Sequence, residues 1–198
     1  MARSDYLLDV RGDPSHSPMD SEEGWQIDYC KLIEAAISHN TPRSLQDAFD
    51  ISRELEGVDA VRVEGTGRRD RGTTVYDPKN FSRAHEYAKR IRQAANTMVR
   101  GGVDADNMFD LYYKTHLFDA PHFFDSFCIY IEKDRAPEKQ FYLPRRKQLM
   151  RCANAIQGLE DGKYHTVGIS LAPGVGKTTI AEFGLAWTSG RNPFLSNL

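Results

Sequence analysis

The residues best suited to chemistry lie near the end of the chain, in the run Leu-Ala-Pro-Gly-Val-Gly-Lys-Thr-Thr at positions 171–179. Glycines allow successive backbone N–H groups to point into one concavity, and a helix that begins directly behind them adds partial positive charge. In such a loop Lys177 reaches the β- and γ-phosphates of a nucleotide, and the Thr178 hydroxyl is a ligand for Mg²⁺. The sequence therefore predicts a phosphate-binding loop for ATP and Mg²⁺, with Lys177 as its catalytic residue.

The predicted nucleotide contacts come from consecutive residues of this run. They are Pro173, Gly174, Val175, Gly176, Lys177, Thr178 and Thr179. The complete pattern for such a loop begins with a further glycine, and Leu171 stands at that position here. We therefore expect a variant loop, in which the two remaining glycines supply the backbone freedom.

The flanking residues predict the elements that position the loop. The β-rich run 166–169 predicts a strand in front of it, and from Thr178 onward apolar residues recur at spacings of three and four, which predicts a helix behind it. A further helix is expected to begin near Pro144 and to precede the strand. The order helix, strand, loop, helix predicts an α/β fold that opens a nucleotide-binding sheet.

The rest of the chain divides by composition. Residues 1–19 are polar and contain two prolines, which predicts a mobile leader. Helical patterns dominate residues 20–137, with a β-hairpin possible near 60–76. Among these helices, Ser44 could cap one, and Asn80 or Asp77 opens a longer one. The apolar stripe of that longer helix consists of Phe81, Ala84, Ala88, Ile91, Ala95 and Met98. The charged, proline-containing stretch 133–140 marks the expected boundary, and residues 138–198 form the beginning of the predicted ATPase domain.

Overall composition excludes several classes of protein. A hydrophobic content of 40% and a charged content of 27% are typical of a soluble domain, and no apolar run approaches the roughly 20 residues that span a bilayer. The net charge of −2 gives no overall reason to expect nucleic-acid binding. Three widely spaced cysteines indicate neither a disulfide framework nor a metal site.

One feature of a complete ATPase is missing downstream of the loop. Such an enzyme needs an acidic residue at the end of a later strand to hold Mg²⁺ and to position water. Only twenty residues follow Thr178, and the predicted helix occupies most of them. We therefore expect the front part, or a truncated version, of a longer ATPase, and little or no turnover from these residues alone.

Two segments carry a family resemblance. Residues 107–149 include FYLPRR, and residues 159–193 contain LEDGK, ISL, VGKTT and a closing GRNP. In this combination the chain resembles the large subunit of a tailed-phage terminase. The resemblance implies the additional-strand, helicase-like type of P-loop ATPase, which pumps double-stranded viral DNA into a capsid, while the nuclease half of that family has no counterpart here.

The resemblance also implies partners and further site residues. The partners would be phage DNA, the terminase small subunit, the portal protein and further copies of the chain on the portal, in the cytoplasm of a bacterial host and without a membrane. Gln148 matches the position where such motors contact adenine, although Gln140 and Gln157 lie nearby in sequence. Relatives often carry an arginine at the position of Gly174 as a charge stabiliser, so a neighbouring subunit, Arg145 or Arg146 would have to supply it.

Two alternatives stay open from the sequence. The Pro-Gly-Val-Gly-Lys-Thr run also resembles the phosphate loops of AAA+ and other helicase-like ATPases. A non-catalytic hypothesis is that the helical residues 20–132 form a docking module for the small subunit or the portal.

Overall fold

The computed structural model describes residues 28–64 and 73–191. The described residues form two compact units, the first of residues 28–63 and 73–115 and the second mainly of residues 116–191. The leader predicted for residues 1–19, and the start of the predicted helical region at 20–27, lie outside the described residues. The boundary predicted at 133–140 lies within the second unit and stays a prediction.

The first unit consists mainly of helices that begin at side-chain caps. These helices are α1 (Tyr29–His39), α2 (Pro42–Gly57), α3 (Pro78–Arg100) and the first part of α4 (Ala105–Asp119). Asp28 and Asp77 accept hydrogen bonds from N–H groups of the first turns of α1 and α3, and Thr41 forms a capping box with Ser44 before α2. Because these caps satisfy N–H groups that have no partner within the helix, they define where each helix begins.

The core of the first unit is a seam of small and aliphatic side chains. The predicted stripe on α3 is confirmed from Ala84 to Met98, since its alanines and Ile91 are fully buried. Alanine side chains let α3 lie close to α2, where Leu45 and Ala48 are also fully buried. The 3.6-residue period of the sequence thus reports the packed faces of these helices correctly.

Two short strands follow α2, where the sequence indicates a possible hairpin. Strands β1 (Val61–Val63) and β2 (Thr73–Val75) are antiparallel, with Val61 opposite Val75. Both strands are exposed along their length. They are the only strands among the described residues, and they belong to the first unit.

The second unit packs helices around buried aromatic side chains. After the end of α4 come α5 (Phe124–Tyr130), a 3₁₀ turn (Pro137–Lys139), α6 (Tyr142–Glu160) and α7 (Lys177–Arg191). The Trp187 indole donates a 2.8 Å hydrogen bond to the Ala120 carbonyl, and its ring lies 5.3 Å from that of Phe124. The helix predicted behind the loop is confirmed. The apolar residues whose spacings of three and four predict it are all buried: Ile180, Phe183 and Trp187.

The predicted α/β nucleotide-binding fold is wrong for this structure. Residues 166–169, the predicted strand before the loop, form no strand, and the described part of the second unit contains no sheet. A β-rich run becomes a strand only when a neighbouring strand pairs with its backbone N–H and C=O groups. No described segment provides that partner here, so the run crosses to α7 as irregular chain with Thr166, Gly168 and Ser170 exposed.

Within residues 28–64 and 73–191, no helix is both long enough and apolar enough to span a lipid bilayer.

Candidate phosphate-binding loop

The backbone of the predicted loop has the conformation that its glycines permit. Gly174 has a φ of +80° and Gly176 a φ of +101°, both in the region that residues with a side chain rarely adopt. The intervening Val175 N–H donates a 3.4 Å hydrogen bond to the Ala172 carbonyl, which closes a turn. Helix α7 begins at the next residue, Lys177. The structure therefore brings a glycine turn directly to a helix N-terminus.

The first N–H groups of this helix remain available. Within the described residues, no protein acceptor receives the N–H groups of Gly176, Lys177, Thr178 or Thr179, whereas the Ile180 N–H bonds to the Gly176 carbonyl. Unpaired N–H groups at the positive end of the helix dipole favour an anion. Gly174, Lys177 and Thr178 are exposed, and Val175, Gly176 and Thr179 are half-buried. The arrangement can therefore receive a phosphate from solvent.

The Lys177 side chain folds back over the loop. Its ammonium donates a 2.9 Å hydrogen bond to the carbonyl of Leu171, the residue in place of the first glycine. Within the described part of the chain Lys177 has no ion pair. A neutral carbonyl neutralises none of the positive charge, so an anion entering the loop would compete well for this ammonium.

An aromatic side chain closes one side of the loop. A Cβ atom placed on Gly176 would lie 2.5 Å from Cζ of Phe141 and closer still to Cε2. The Phe141 ring meets Phe183 of α7 edge-on at 5.9 Å, and the Arg145 guanidinium lies 5.4 Å from its centroid. Two features therefore require glycine at position 176: its positive φ, and the Phe141 ring, which fills the space that a side chain would need. The sequence did not indicate this contact, because no local pattern links Phe141 to the loop.

A buried carboxylate holds Phe141 in position. Glu132 is fully buried and accepts hydrogen bonds from the N–H groups of Phe141 and Tyr142, the shortest at 2.7 Å. Arg135 donates to the same carboxylate at 2.9 Å. Glu132 therefore caps the N-terminus of α6 from a distant part of the chain, where the helix dipole favours negative charge. Sequence reasoning missed this residue, since it lies outside the first turn of α6.

Asp125 accepts hydrogen bonds from two side chains of α6 and so stabilises the position of its first turns. Arg146 donates two hydrogen bonds to its carboxylate, at 2.9 and 2.8 Å, and the Tyr142 hydroxyl donates a third at 2.6 Å. Burial opposes ionisation of Asp125, but the hydrogen bonds from Arg146 and Tyr142 prevail and lower its pKa below the ordinary value. Burial and this bond raise the pKa of Tyr142. Arg146 is thus occupied by Asp125, whereas Arg145 lies over the ring beside the loop.

The three glutamines considered for adenine contact differ in their surroundings. Gln157 accepts a hydrogen bond from the Phe124 N–H at 2.8 Å and donates to the His122 carbonyl, so it connects α6 to the start of α5. Gln140 donates to the Arg135 carbonyl at 3.2 Å. Gln148 is exposed on α6 with no hydrogen bond inside the described residues. Of the three glutamines, Gln148 is therefore the one whose amide forms no hydrogen bond within the described residues. Its contact with adenine stays a prediction.

The remaining predicted contacts are grouped by the loop itself. Pro173 is exposed before the glycine turn, and Thr178 and Thr179 follow Lys177 in the first turn of α7. No carboxylate within the described residues is hydrogen-bonded to Thr178. The loop thus brings all seven predicted contacts together, without a carboxylate hydrogen-bonded to Thr178 in the part of the chain that the structure describes.

Comparisons with known proteins identify no relative. No family model, curated protein or solved structure matches this chain. The functional assignment therefore depends on the geometry of the loop and on the residues themselves.

Proposed function

We propose that residues 171–179 bind the phosphates of ATP together with Mg²⁺, and that the chain serves a DNA-packaging motor of the terminase large-subunit kind. The observation that supports nucleotide binding is the loop backbone. Two glycines with positive φ lead into α7, whose first N–H groups have no acceptor among the described residues. The terminase class depends on the sequence resemblance of residues 107–149 and 159–193 alone.

Each residue of the loop has a role in this proposal. The N–H groups from Gly176 to Thr179 donate to phosphate oxygens, and the Lys177 ammonium exchanges the Leu171 carbonyl for the β- and γ-phosphates. The Thr178 hydroxyl is a ligand for Mg²⁺, which neutralises phosphate charge when bound. Phe141 limits the loop on one side and fills the space that a side chain at position 176 would need.

The proposed partners follow from the resemblance. They are double-stranded DNA, the small subunit, the portal protein and further copies of the chain, in the cytoplasm of a bacterial host. The AAA+ and docking-module alternatives stay predictions, because no contact in the structure favours either one. Hydrolysis by this chain alone is expected to be close to background, since no carboxylate within the described residues is hydrogen-bonded to Thr178.

Nucleotide binding by the Lys177→Ala variant tests the proposal. We expect the dissociation constant for Mg·ATP, measured by isothermal titration calorimetry on the full chain, to rise roughly tenfold to a hundredfold. The reason is that a hydrogen bond to a charged group contributes about 1.5–3 kcal/mol. Lys163→Ala is the matched control, because this lysine is also exposed in the second unit but faces Asp161 at 3.8 Å.

Two results would contradict the proposal. One is an Mg·ATP affinity that is equal in the wild type and the Lys177→Ala variant. The other is an equal loss in the Lys163→Ala control, which would indicate a general effect of charge. The motor class has its own test that does not need hydrolysis: immobilised portal protein and small subunit should retain the chain, and no retention would remove that part of the proposal.

A further inference from the structure

Positive charge is concentrated in the part of the second unit that leads into α6. Residues 133–151 contain seven basic and two acidic side chains, whereas the whole chain has a net charge of −2. Such a local reversal of sign creates a field that attracts anions even when the protein as a whole is acidic.

Several of the basic side chains are already engaged within the protein. Arg146 forms its two-bond pair with Asp125, and Arg135 bonds to the buried Glu132. Arg145 lies over the Phe141 ring and donates to the Phe141 carbonyl. These contacts support the fold of the second unit, so we do not assign these arginines to a partner.

Lys147 and Arg151 are different. Both are exposed on α6, and neither has an ion pair within the described residues. By contrast, two exposed lysines of the first unit face acidic neighbours, Lys31 with Asp28 at 3.2 Å and Lys89 with Glu86 at 3.6 Å. The two α6 side chains therefore keep their full charge available to a binding partner.

These two groups share one face of the helix with a polar neighbour. Lys147, Arg151 and the exposed Asn154 follow one another at spacings of four and three residues, so their side chains project in one direction. We call these three residues the basic face. Its two charges are about 6 Å apart along the helix axis. The opposite side of α6 is buried through Leu149, Cys152 and Ala153, so the basic face points to solvent.

We propose that the basic face binds the phosphate backbone of double-stranded nucleic acid. Two uncompensated cations and an amide side chain are the groups that proteins present to phosphate oxygens. The face carries no exposed large apolar side chain, which a helix lying on a membrane would insert among the lipids. It also carries no aromatic side chain on which single-stranded bases would stack.

The rest of the second unit holds this face rigid. Glu132 caps the first residues of α6, and the Asp125–Arg146 pair fastens the following turn. A helix anchored at its start presents its cations without the ordering cost that a mobile segment would incur on binding. The duplex partner rests on the proposed function, which names double-stranded DNA. The basic face shares no residue with the nucleotide loop at 171–179, so duplex binding and nucleotide binding can fail separately.

The experiment compares the full chain with the variant Lys147→Gln/Arg151→Gln. Binding to a fluorescein-labelled 30-base-pair DNA duplex is followed by anisotropy at several salt concentrations. Each phosphate contact contributes about 0.9 to the slope of log affinity against log salt, so we expect the variant to lose about 1.8 from that slope at reduced affinity. Lys31→Gln/Lys89→Gln changes the net charge equally and should leave the slope as in the wild type.

Each other outcome overturns the proposal. Unchanged binding in Lys147→Gln/Arg151→Gln would show that the basic face does not contact the duplex, and an equal loss in the control would show only an effect of net charge. Stronger binding to vesicles of phosphatidylserine and phosphatidylcholine than to the duplex would assign the face to a membrane. Mg·ATP binding is measured on the same variant and should be unchanged, which separates this proposal from that for the loop.

Discussion

Replacement of Gly176 by alanine isolates the contact between α6 and the loop. The φ of +101° makes any side chain unfavourable at this position, at a cost of about 1–2 kcal/mol. The new Cβ would also overlap the Phe141 ring, which cannot move freely because Phe183, Arg145 and the Glu132 cap hold it. Overpacking of this kind costs about 1–3 kcal/mol. We therefore expect Gly176→Ala to lower the unfolding free energy by about 2–5 kcal/mol.

Gly174 provides a matched control two residues away. Its φ of +80° imposes a similar backbone cost, but nothing lies within 4 Å of the position of a Cβ. Gly174→Ala should therefore cost only about 1–2 kcal/mol. The unfolding free energies are measured by urea denaturation followed by circular dichroism, and the difference between the two variants reports the overlap with Phe141.

A double-mutant cycle with Phe141→Ala completes this test. Without the ring, only the backbone cost remains, so Gly176→Ala should cost about 1–2 kcal/mol in that background. If Gly176→Ala is equally costly with and without Phe141, the ring does not limit the loop. If it costs no more than Gly174→Ala in the wild-type background, the packing explanation for this glycine is wrong.

Two further predictions concern the groups that anchor α6. Because the pKa of Asp125 is lowered by folding, its contribution to stability is present above about pH 4 and is lost as the pH falls through its folded pKa. The stability difference between the wild type and Asp125→Asn should therefore shrink in acid, and a difference independent of pH would contradict this. Glu132→Gln keeps the size of the side chain but removes the negative charge that two backbone N–H groups and Arg135 contact. We therefore expect the unfolding free energy, measured by urea denaturation, to fall by about 1–3 kcal/mol. Glu138→Gln, at an exposed position of the 3₁₀ turn, is the control and should leave it unchanged.

Local patterns in the sequence were sufficient for most of the helices. The stripe on α3 and the buried face of α7 follow from the helical period. Of the two starts that the sequence offers for α3, Asn80 and Asp77, the structure has Asp77 as the cap. Assignments that needed exact caps were less accurate. The sequence offers Ser44 as a possible cap of α2, whereas Thr41 is the cap and Ser44 is its partner in the capping box.

The composition of the candidate site was also accessible from the sequence. The glycines, Lys177 and Thr178 are neighbours along the chain, so their grouping needs no knowledge of the fold. A positive φ at both glycines follows from their place in a turn before a helix. These features are local, and local conformational preferences determine them.

Tertiary structure alone decided the surroundings of the loop. Whether residues 166–169 pair as a strand depends on a neighbouring strand, which no local preference can specify, and the predicted sheet fails for that reason. The contact of Phe141 with Gly176, the cap from Glu132 and the pair between Asp125 and Arg146 join residues far apart along the chain. The sequence thus determined which groups can bind a phosphate, and long-range packing determined what encloses them, because burial and hydrogen bonding across elements depend on the whole fold.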